Sequence, residues 1–373
     1  MKHISSLDGL RGAAALLVVF FHYFPREGVG LLGRLMSIGW IGVDIFFVLS
    51  GFLITTILYE QRGADHYFRN FYIRRLLRLS PIYYLLFAIA LVSALWMHIP
   101  LHPLQLGMLL YAANFVLPID DSMGNIGSFE LFHVWSLSVE EQFYLIWPWL
   151  VGGRLSKESL RKVCLCGILI APILRLAMVY EHVYSLWIYQ SLLCRMDSLL
   201  LGAFLALIPL PSLRTARRVA CVALLVFGVT VWKGHTAFFQ SSPIQGLGYS
   251  ALAFLSASLL TMSLHPRTMV SRIFSSKLLR FYGKYSYGLY LWHFFLRPQF
   301  DAQKLWMERH LSSRTIADVI SFVLVLAIST VIAMASYRWI EQPFLRLKSR
   351  FAPSSSVLAS SGMNRKEARG REA

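Results

Sequence analysis

The sequence predicts an all-α protein, a polytopic transmembrane bundle of about ten helices with both termini in the cytoplasm. Of the 373 residues, 56% are hydrophobic and only 15% are charged, and the mean hydropathy is +0.56. A soluble domain of this size needs a larger charged surface. No long polar linker interrupts the apolar runs. We therefore predict one integral-membrane domain over residues 1–345 and a basic, disordered cytoplasmic tail over 346–373.

The spans are taken from apolar runs that are long enough to cross a bilayer. They lie at 7–24, 38–58, 80–98, 133–151, 163–180, 188–208, 219–232, 244–264, 285–297 and 315–340. A further apolar stretch, 104–117, fits a short interfacial or re-entrant helix. The first run carries Arg11 and lacks a small-residue cleavage site before a soluble domain, so we expect it to be a span and not a signal peptide.

The orientation follows from lysine and arginine, which are unequally divided between the two sets of loops. Most of the loop cations fall in 62–78, 154–162, 214–218 and 267–284, and the alternate loops hold few. Loops rich in these residues stay in the cytoplasm. The same bias explains the net charge of +17, so we expect a lipid bilayer and no nucleic acid as a partner.

The cysteines and the acidic loop residues do not indicate a metal site. Cys164, Cys166, Cys194 and Cys221 fall in or beside spans without the spacing of a zinc site, and we interpret them as small apolar residues. Asp120 and Asp121 fit an ordinary solvated loop. We therefore expect no metal.

Polar side chains inside the spans are the candidates for function, because a charge in the bilayer is costly. In the first span, Arg11 and His22 are eleven residues apart, which puts them on one helical face about 16 Å apart along the axis. Arg11 lies toward the cytoplasmic end and His22 in the outer half. The alternative for Arg11 is a side chain that snorkels to the membrane interface, and the alternative for His22 is an interfacial or core histidine without a catalytic role.

The second span places Asp44 at a depth similar to that of His22. A buried acid needs a partner, and a carboxylate can fix the tautomer of an imidazole, so we predict that Asp44 pairs with His22. The alternative is a structural pairing with another buried cation or hydroxyl. The glycines of this span, Gly39, Gly42 and Gly51, fit close helix packing.

Three arginines in the next segment, Arg74, Arg75 and Arg78, suit phosphate recognition. Arg74 and Arg78 are four residues apart and are predicted to share a helical face. The alternative is that these charges set the topology and contact anionic lipid headgroups.

The stretch "HVWSLSVEEQFYLIWPWL" contains two adjacent glutamates inside an apolar span. Ser136, Glu140 and Tyr144 form one helical stripe, whereas Glu141 lies on the neighbouring stripe. Glu140 is predicted roughly 10 Å below the outer end of this helix. We therefore expect His22, Asp44 and Glu140 to converge in the outer half.

These residues fall in an ordered set of motifs that resembles one family. The stretches "LDGLRGAAALLVVFFH", "GVDIFFVLSGFLI", "FYIRRLLRLSPIYY", "HVWSLSVEEQFYLIWP", "GKYSYGLYLWH" and "YRWIEQPF" resemble the motifs of the bacterial membrane acyltransferase-3 family, in the same order. The resemblance covers about residues 5–345. It puts the family's basic-residue and histidine pair on Arg11 and His22, and its serine and glutamate pair on Ser136 and Glu140.

The resemblance implies a multi-pass protein of the bacterial inner (plasma) membrane that transfers acetyl or another short acyl group to a sugar hydroxyl of a surface or secreted glycan. The implied donor substrate is acyl-coenzyme A, entering from the cytoplasm, with acetyl-CoA the expected form and no permanently bound cofactor. Some members carry an extra extracytoplasmic hydrolase-like domain. We expect none here, because the chain ends shortly after its last span.

Residue pattern and resemblance together predict three sets of site residues. The catalytic set is His22, Asp44 and Glu140. The donor-binding set is Arg11, Arg74, Arg75 and Arg78. The substrate-binding set is Trp135, Ser136, Tyr144 and His293. An acyl-histidine intermediate and direct transfer both remain open, and so do the acceptor glycan, the acyl group and the oligomeric state. Arg195 and Asp197 are expected to form a buried structural pair.

Two other classes of membrane protein fit the sequence less well. A transporter or flippase for an anionic or glycolipid substrate also buries charge in a helical bundle, but it more often shows paired, interrupted half-helices in two repeats, which this sequence lacks. A lipid-linked glycosyltransferase needs acidic metal ligands in its outer loops, and Asp120 and Asp121 are poor candidates.

Overall fold

The computed structural model describes residues 4–25 and 30–351, and these are almost entirely helical. The first eight helices are α1 (Ser5–Tyr23), α2 (Gly30–Met36), α3 (Gly42–Glu60), α4 (Tyr67–Trp96), α5 (Ala113–Val116), α6 (Trp135–Gly152), α7 (Lys157–Tyr180) and α8 (Ser185–Gln190). The other eight are α9 (Leu192–Leu207), α10 (Leu213–Gly234), α11 (Tyr249–Leu264), α12 (Met269–Phe274), α13 (Lys277–Phe295), α14 (Arg297–His310), α15 (Arg314–Ser336) and α16 (Gln342–Leu347).

Seven helical segments of the described chain are long and apolar enough to cross a membrane, which agrees with the predicted all-α membrane bundle. Each of the ten predicted spans corresponds to a long helix. Helices α1, α6 and α13 are not among the seven segments. These three carry several polar residues within their length, among them Arg11, Glu140 and His293, and polar residues lower the hydropathy of a helix.

Two helices begin earlier than the apolar runs indicate. Helix α4 begins at Tyr67 and α13 at Lys277, where the sequence predicts spans from residues 80 and 285. The added turns are rich in leucine, arginine and lysine, which favour a helix without being apolar. As a result Arg75 and Arg78 lie on the same continuous helix as the span that follows them.

A small β-hairpin that the sequence did not predict precedes α6. Strands β1 (Asn125–Ile126) and β2 (Phe129–Glu130) pair antiparallel, with Asn125 opposite Glu130. Gly127 in the connecting turn has φ of +59°, a conformation that glycine adopts at little cost. The ring of Phe129 stacks on Phe295 with centroids 4.3 Å apart. The hairpin therefore ties the start of α6 to the end of α13.

Glycines let two helix pairs cross at very short range. A Cβ atom on Gly283 of α13 would overlap the carbonyl oxygen of Asp8 in α1, and one on Gly12 would overlap that of Leu279. Gly51 of α3 and Gly202 of α9 are equally confined at their crossing. Small residues at such crossings allow the backbones to touch. The α1–α13 crossing brings the C-terminal ends of both helices together.

Two buried ion pairs join the helices around α9, and they differ from the predicted pairs. Arg195 donates to Asp44 at 2.7 Å, and Arg175 donates to Asp197 at 2.9 Å. The predictions that Asp44 pairs with His22 and that Arg195 pairs with Asp197 are therefore wrong. Asp44 faces α9, not α1, because the Gly51–Gly202 crossing holds α3 against α9 along this face.

The first residues of the predicted tail are helical. A π-helical turn (Tyr337–Glu341) extends α15 into α16, and a 3₁₀ turn follows at Lys348–Phe351. This brings Lys348 back against the bundle, where it lines a cavity. The rest of the predicted tail, residues 352–373, lies outside the described residues.

Candidate active site

A side-chain contact between α1 and α13 joins two histidines. Nδ1 of His22 lies 3.1 Å from Nε2 of His293, and Nδ1 of His293 lies 2.9 Å from the carbonyl oxygen of Leu289, one turn earlier in its own helix. Tyr23 donates a hydrogen bond to the carbonyl oxygen of His293 at 2.7 Å. The pairing places His293, predicted as a substrate-binding residue, directly against His22.

A basic cavity of about 490 Å³ opens on one side of this pair. Its polar lining consists of Arg11, Ser50, Arg75, Arg78, Ser136, Glu140, Tyr144, Ser286, Tyr287, Tyr290 and Lys348. Its remaining wall is apolar, from residues of α3, α4 and α6. Among the described residues that line it, four are cationic and one is a carboxylate. The cavity is therefore built for an anion that carries an apolar or extended portion, and its size is usual for a ligand pocket.

Arg74 is the one predicted donor-binding residue that does not line the basic cavity. Its guanidinium hydrogen-bonds the Gln61 side chain and donates to the carbonyl oxygen of Asn70 at 3.1 Å. Arg75 and Arg78 are three residues apart and face the cavity, whereas Arg74 lies about 100° round the helix from Arg75. Arg78 therefore meets the cavity together with Arg75, and not together with Arg74 as the sequence predicts.

Glu140 belongs to the basic cavity. Its carboxylate accepts hydrogen bonds from Ser50 at 2.7 Å and from Tyr144 at 3.3 Å. The guanidinium carbon of Arg75 lies 5.2 Å from the centre of the Tyr144 ring. His22 is not among the residues that line this cavity, and Asp44 is held by Arg195. The predicted convergence of His22, Asp44 and Glu140 is therefore not what the structure has.

Tyr290 connects the basic cavity to the histidine pair. Its hydroxyl lies 2.6 Å from that of Ser136 and donates to the carbonyl oxygen of His133 at 3.1 Å. The side chain lines the basic cavity and also a second, smaller space beside His22. Tyr290 stands three residues before His293, so the two share a helical face, and this spacing is the signal that could have identified it.

The smaller space, which we call the aromatic chamber, has a volume of about 50 Å³. It is lined by Val18, Phe21, His22, Trp40, Val43, Phe132, His133, Trp135, Tyr189, Phe239, Tyr290 and Phe294. Trp135, predicted to contact substrate, therefore faces His22 and not the arginines. The chamber shares Val43 and Tyr290 with the basic cavity.

A third space, the mixed-charge cavity, opens from His22 at the other end of the bundle and has a volume of about 340 Å³. Its charged lining is Arg297, Asp301, Lys304, Arg314 and Asp318, and its aromatic lining is Tyr23, Phe24, Phe300 and Phe322. Lys304 pairs with Asp318 at 2.9 Å, and Arg297 with Asp301 at 3.5 Å. Paired charges of both signs beside aromatic rings suit a polar ligand with many hydroxyls. The sequence did not indicate this cavity, because α14, which supplies Arg297, Phe300, Asp301 and Lys304, is not a span.

The three spaces form a series in which each shares lining residues with the next. His22 lines both the aromatic chamber and the mixed-charge cavity, and the chamber shares residues with the basic cavity. Arg11 lines the basic cavity and His22 lines the mixed-charge cavity, and the two residues are about 16 Å apart along α1. Such an arrangement can hold an anionic ligand at one end, a hydroxylated ligand at the other, and a base between them.

Comparison with known proteins supports a group-transfer role. A family model described as an acyltransferase domain, the acyltransferase-3 model, matches residues 4–338. The chain is 29% identical over 366 residues to the peptidoglycan O-acetyltransferase OatA of Listeria monocytogenes, covering 92% of this chain and 56% of that protein. It is 32% identical over 319 residues to the putative peptidoglycan O-acetyltransferase YrhL of Bacillus subtilis, covering 79% of this chain and 48% of that protein.

A third relative is the O-acetyltransferase OatA of Staphylococcus aureus, 27% identical over 366 residues, which cover 92% of this chain and 57% of that protein. The chain thus spans about half the length of the curated relatives it matches. No solved structure matches the chain.

Proposed function

Because this chain belongs to the acyltransferase-3 family, we propose that it is an integral-membrane O-acetyltransferase that moves an acetyl group from acetyl-coenzyme A to a sugar hydroxyl of a cell-wall polysaccharide. The observation that carries the proposal is that His22 lines both the mixed-charge cavity and the aromatic chamber, and that this chamber shares Val43 and Tyr290 with the basic cavity. The choice of a cell-wall polysaccharide rests on the names of the relatives.

The proposed donor site is the basic cavity. Acetyl-CoA carries phosphates at one end and a thioester on a long, largely uncharged arm. Arg11, Arg75, Arg78 and Lys348 offer cations for the phosphates, and guanidinium forks suit them especially well. The apolar wall and Tyr290 then lead the arm toward the aromatic chamber. In the proposed orientation, with the basic loops in the cytoplasm, the mouth of this cavity opens on the side where acyl-CoA is made.

The proposed acceptor site is the mixed-charge cavity. Lys304 and Asp318 lie 2.9 Å apart and Arg297 and Asp301 3.5 Å apart, so most charges of this cavity are already paired and offer little to an ion. Hydroxyl groups can instead bridge such pairs, and the rings of Phe300 and Phe322 offer apolar faces for a sugar. In the proposed orientation, with ten spans and both termini in the cytoplasm, this cavity opens on the outer side.

The proposed reaction is direct transfer. Nε2 of His22 takes the proton of the acceptor hydroxyl as its oxygen attacks the thioester carbonyl. The C–O bond forms, the C–S bond breaks, and the thiolate leaves and receives the proton from His22. The products are an O-acetyl ester and coenzyme A with a free thiol. The hydroxyls of Tyr290 and Ser136, 2.6 Å apart, lie along the proposed path of the arm and can offer it hydrogen bonds.

The test uses the protein in proteoliposomes with radiolabelled acetyl-CoA and, as acceptor probe, glycan strands purified from peptidoglycan. We expect base-labile acetate on the strands, loss of transfer in His22→Ala, and normal transfer in His235→Asn, a change at an exposed histidine after α10. If neither the wild type nor His235→Asn forms the ester, the proposal is overturned. Label retained on the protein before the acceptor is added would instead indicate an acyl-histidine route.

The orientation has a separate test. Tags at Lys157 and at the C-terminus should report the cytoplasm, and a tag beside Asp120 should report the outer side. A cytoplasmic Asp120 would reverse the donor and acceptor sides. A count of crossings other than ten would overturn the proposed topology while leaving the chemistry at His22 open.

A further inference from the structure

The contacts of the two histidines determine where their protons lie. A carbonyl oxygen can only accept a hydrogen bond, so Nδ1 of His293, 2.9 Å from the carbonyl oxygen of Leu289, carries a hydrogen. In a neutral ring, Nε2 of His293 then has the lone pair. That lone pair lies 3.1 Å from Nδ1 of His22, which must therefore be the donor. In neutral His22 the remaining lone pair is on Nε2.

We propose that His293 is a positioning residue that holds His22 in its Nδ1-protonated tautomer, so that Nε2 is the atom that takes the acceptor proton. This inference rests on the proposed function and adds the identity of the basic atom and of the residue that selects it. His293 itself contacts no reacting atom.

The residues around His22 and His293 hold the two imidazole rings in contact. His293 is fully buried, and Tyr23 holds its backbone carbonyl from α1 at 2.7 Å. The ring of Phe294 packs edge-on against His22 with centroids 4.6 Å apart. The glycine crossing of α1 and α13 keeps both helices in one register. The imidazole pair thus has few alternative arrangements.

The pair also serves during the reaction. When Nε2 of His22 gains the acceptor proton, the ring becomes a cation, and its Nδ1–H remains directed at the lone pair of His293. A hydrogen bond from a cation is stronger than one from a neutral donor. The proton then leaves Nε2 for the departing thiolate, and the resting tautomer is restored without any change in His293.

Two variants of similar size separate this role from a purely structural one. The amide of Gln reaches the position of Nε2, so His293→Gln keeps an acceptor for His22. The amide of Asn reaches only the position of Nδ1, so His293→Asn keeps the contact with Leu289 and loses the contact with His22. We expect kcat to fall about 100-fold or more in His293→Asn and less than about tenfold in His293→Gln, as for an enzyme whose histidine is in the wrong tautomer.

KM for acetyl-CoA should stay unchanged in both variants, because the basic cavity does not include His293. Equal losses in the two variants, or a loss only in His293→Gln, would overturn the proposal. All values are normalised to folded protein in the membrane.

A second measurement decides the tautomer whether or not the protein transfers acetyl groups. Nitrogen-15 and carbon-13 labelled histidine gives solid-state NMR shifts that distinguish a protonated Nδ1 from a protonated Nε2, and the spectrum of His22→Gln identifies the signals of His22. We expect a protonated Nδ1 in the wild type and a mixture in His293→Asn. A protonated Nε2 in the wild type would overturn the inference, whereas absent transfer with the expected tautomer would overturn only the proposed function.

Discussion

Arg195 donates a hydrogen bond to Asp44 at 2.7 Å, and both side chains are fully buried. Ser198 donates to the same carboxylate oxygen at 3.1 Å, and the guanidinium carbon of Arg195 lies 4.1 Å from the centre of the Tyr249 ring. The pair joins α3 to α9 inside the bundle. Asp44 is therefore held by Arg195 and Ser198 of α9, and not by His22 as the sequence predicts.

The first prediction tests this structural role. Arg195→Met leaves a buried carboxylate without its partner, which costs about 3–5 kcal/mol, and we expect little protein in the membrane. The double change Asp44→Leu with Arg195→Met removes both charges and should restore much of the amount and of the melting temperature. Normal amounts of the double variant with no acetyl transfer would return Asp44 to the catalytic set.

The second prediction concerns the arginines of α4. Arg75→Lys keeps the charge in the basic cavity but loses the planar fork, so KM for acetyl-CoA should rise roughly tenfold at similar kcat. Arg74→Lys is the matched control, because Arg74 bonds Gln61 and Asn70 outside the cavity, and its KM should remain that of the wild type. Equal effects of the two changes would show that these residues act through membrane topology.

The third prediction concerns the two adjacent glutamates. Glu140 accepts hydrogen bonds from both Ser50 and Tyr144, and the amide of Glu140→Gln can accept only at its single oxygen. We expect transfer to fall at least tenfold, with normal amounts of protein, since a hydrogen bond to a charged group contributes about 1.5–3 kcal/mol.

Glu141→Gln is the control for this change. Oε1 of Glu141 is buried without a hydrogen-bond partner among the described residues, so an amide should be tolerated there. Acetyl transfer per folded protein should match the wild type. A loss confined to Glu141→Gln would mean that Glu141, and not Glu140, supports the reaction.

The fourth prediction is a pH dependence of donor binding. Burial and the neighbouring guanidinium groups, Arg78 first, lower the pKa of Lys348, just beyond the last span, to about 8. A lysine is charged below its pKa, so its attraction for phosphate is present at pH 7 and is lost as the pH rises through about 8.

KM for acetyl-CoA should accordingly increase between pH 7 and 9 in the wild type. In Lys348→Gln it should be higher at pH 7 and change less over this interval, whereas Lys348→Arg should keep the low value at pH 9. The same rise in Lys348→Gln as in the wild type would assign the titration to another group.

The fifth prediction concerns the length of the acyl group. The aromatic chamber has about 50 Å³, a third of the roughly 150 Å³ of an apolar cavity that accepts benzene, so it has room for acetyl but not for a longer chain. Phe239→Ala enlarges the chamber and should raise the ratio of butyryl to acetyl transfer about tenfold or more. Phe238→Ala, a change at a ring outside the chamber, should leave this ratio unchanged. Unchanged ratios in both variants would place the acyl group elsewhere.

The sequence by itself determined the helical membrane architecture and the helical face that Arg11 and His22 share on α1. Apolar runs of span length identify helices, because every backbone group in lipid must be satisfied within its own segment. The eleven-residue spacing of Arg11 and His22 places them on one face, since the helical period is a local property. The order of the motifs identified the family, and the family model confirms it.

Only the tertiary structure decided which side chains meet. His22 contacts His293, which is 271 residues away in sequence, and Asp44 contacts Arg195, 151 residues away. Helical periodicity states which residues share a face, but the partner of that face depends on the glycine crossings that bring two backbones together. For the same reason Arg74 lies outside the basic cavity and Lys348, from beyond the last span, lies within it.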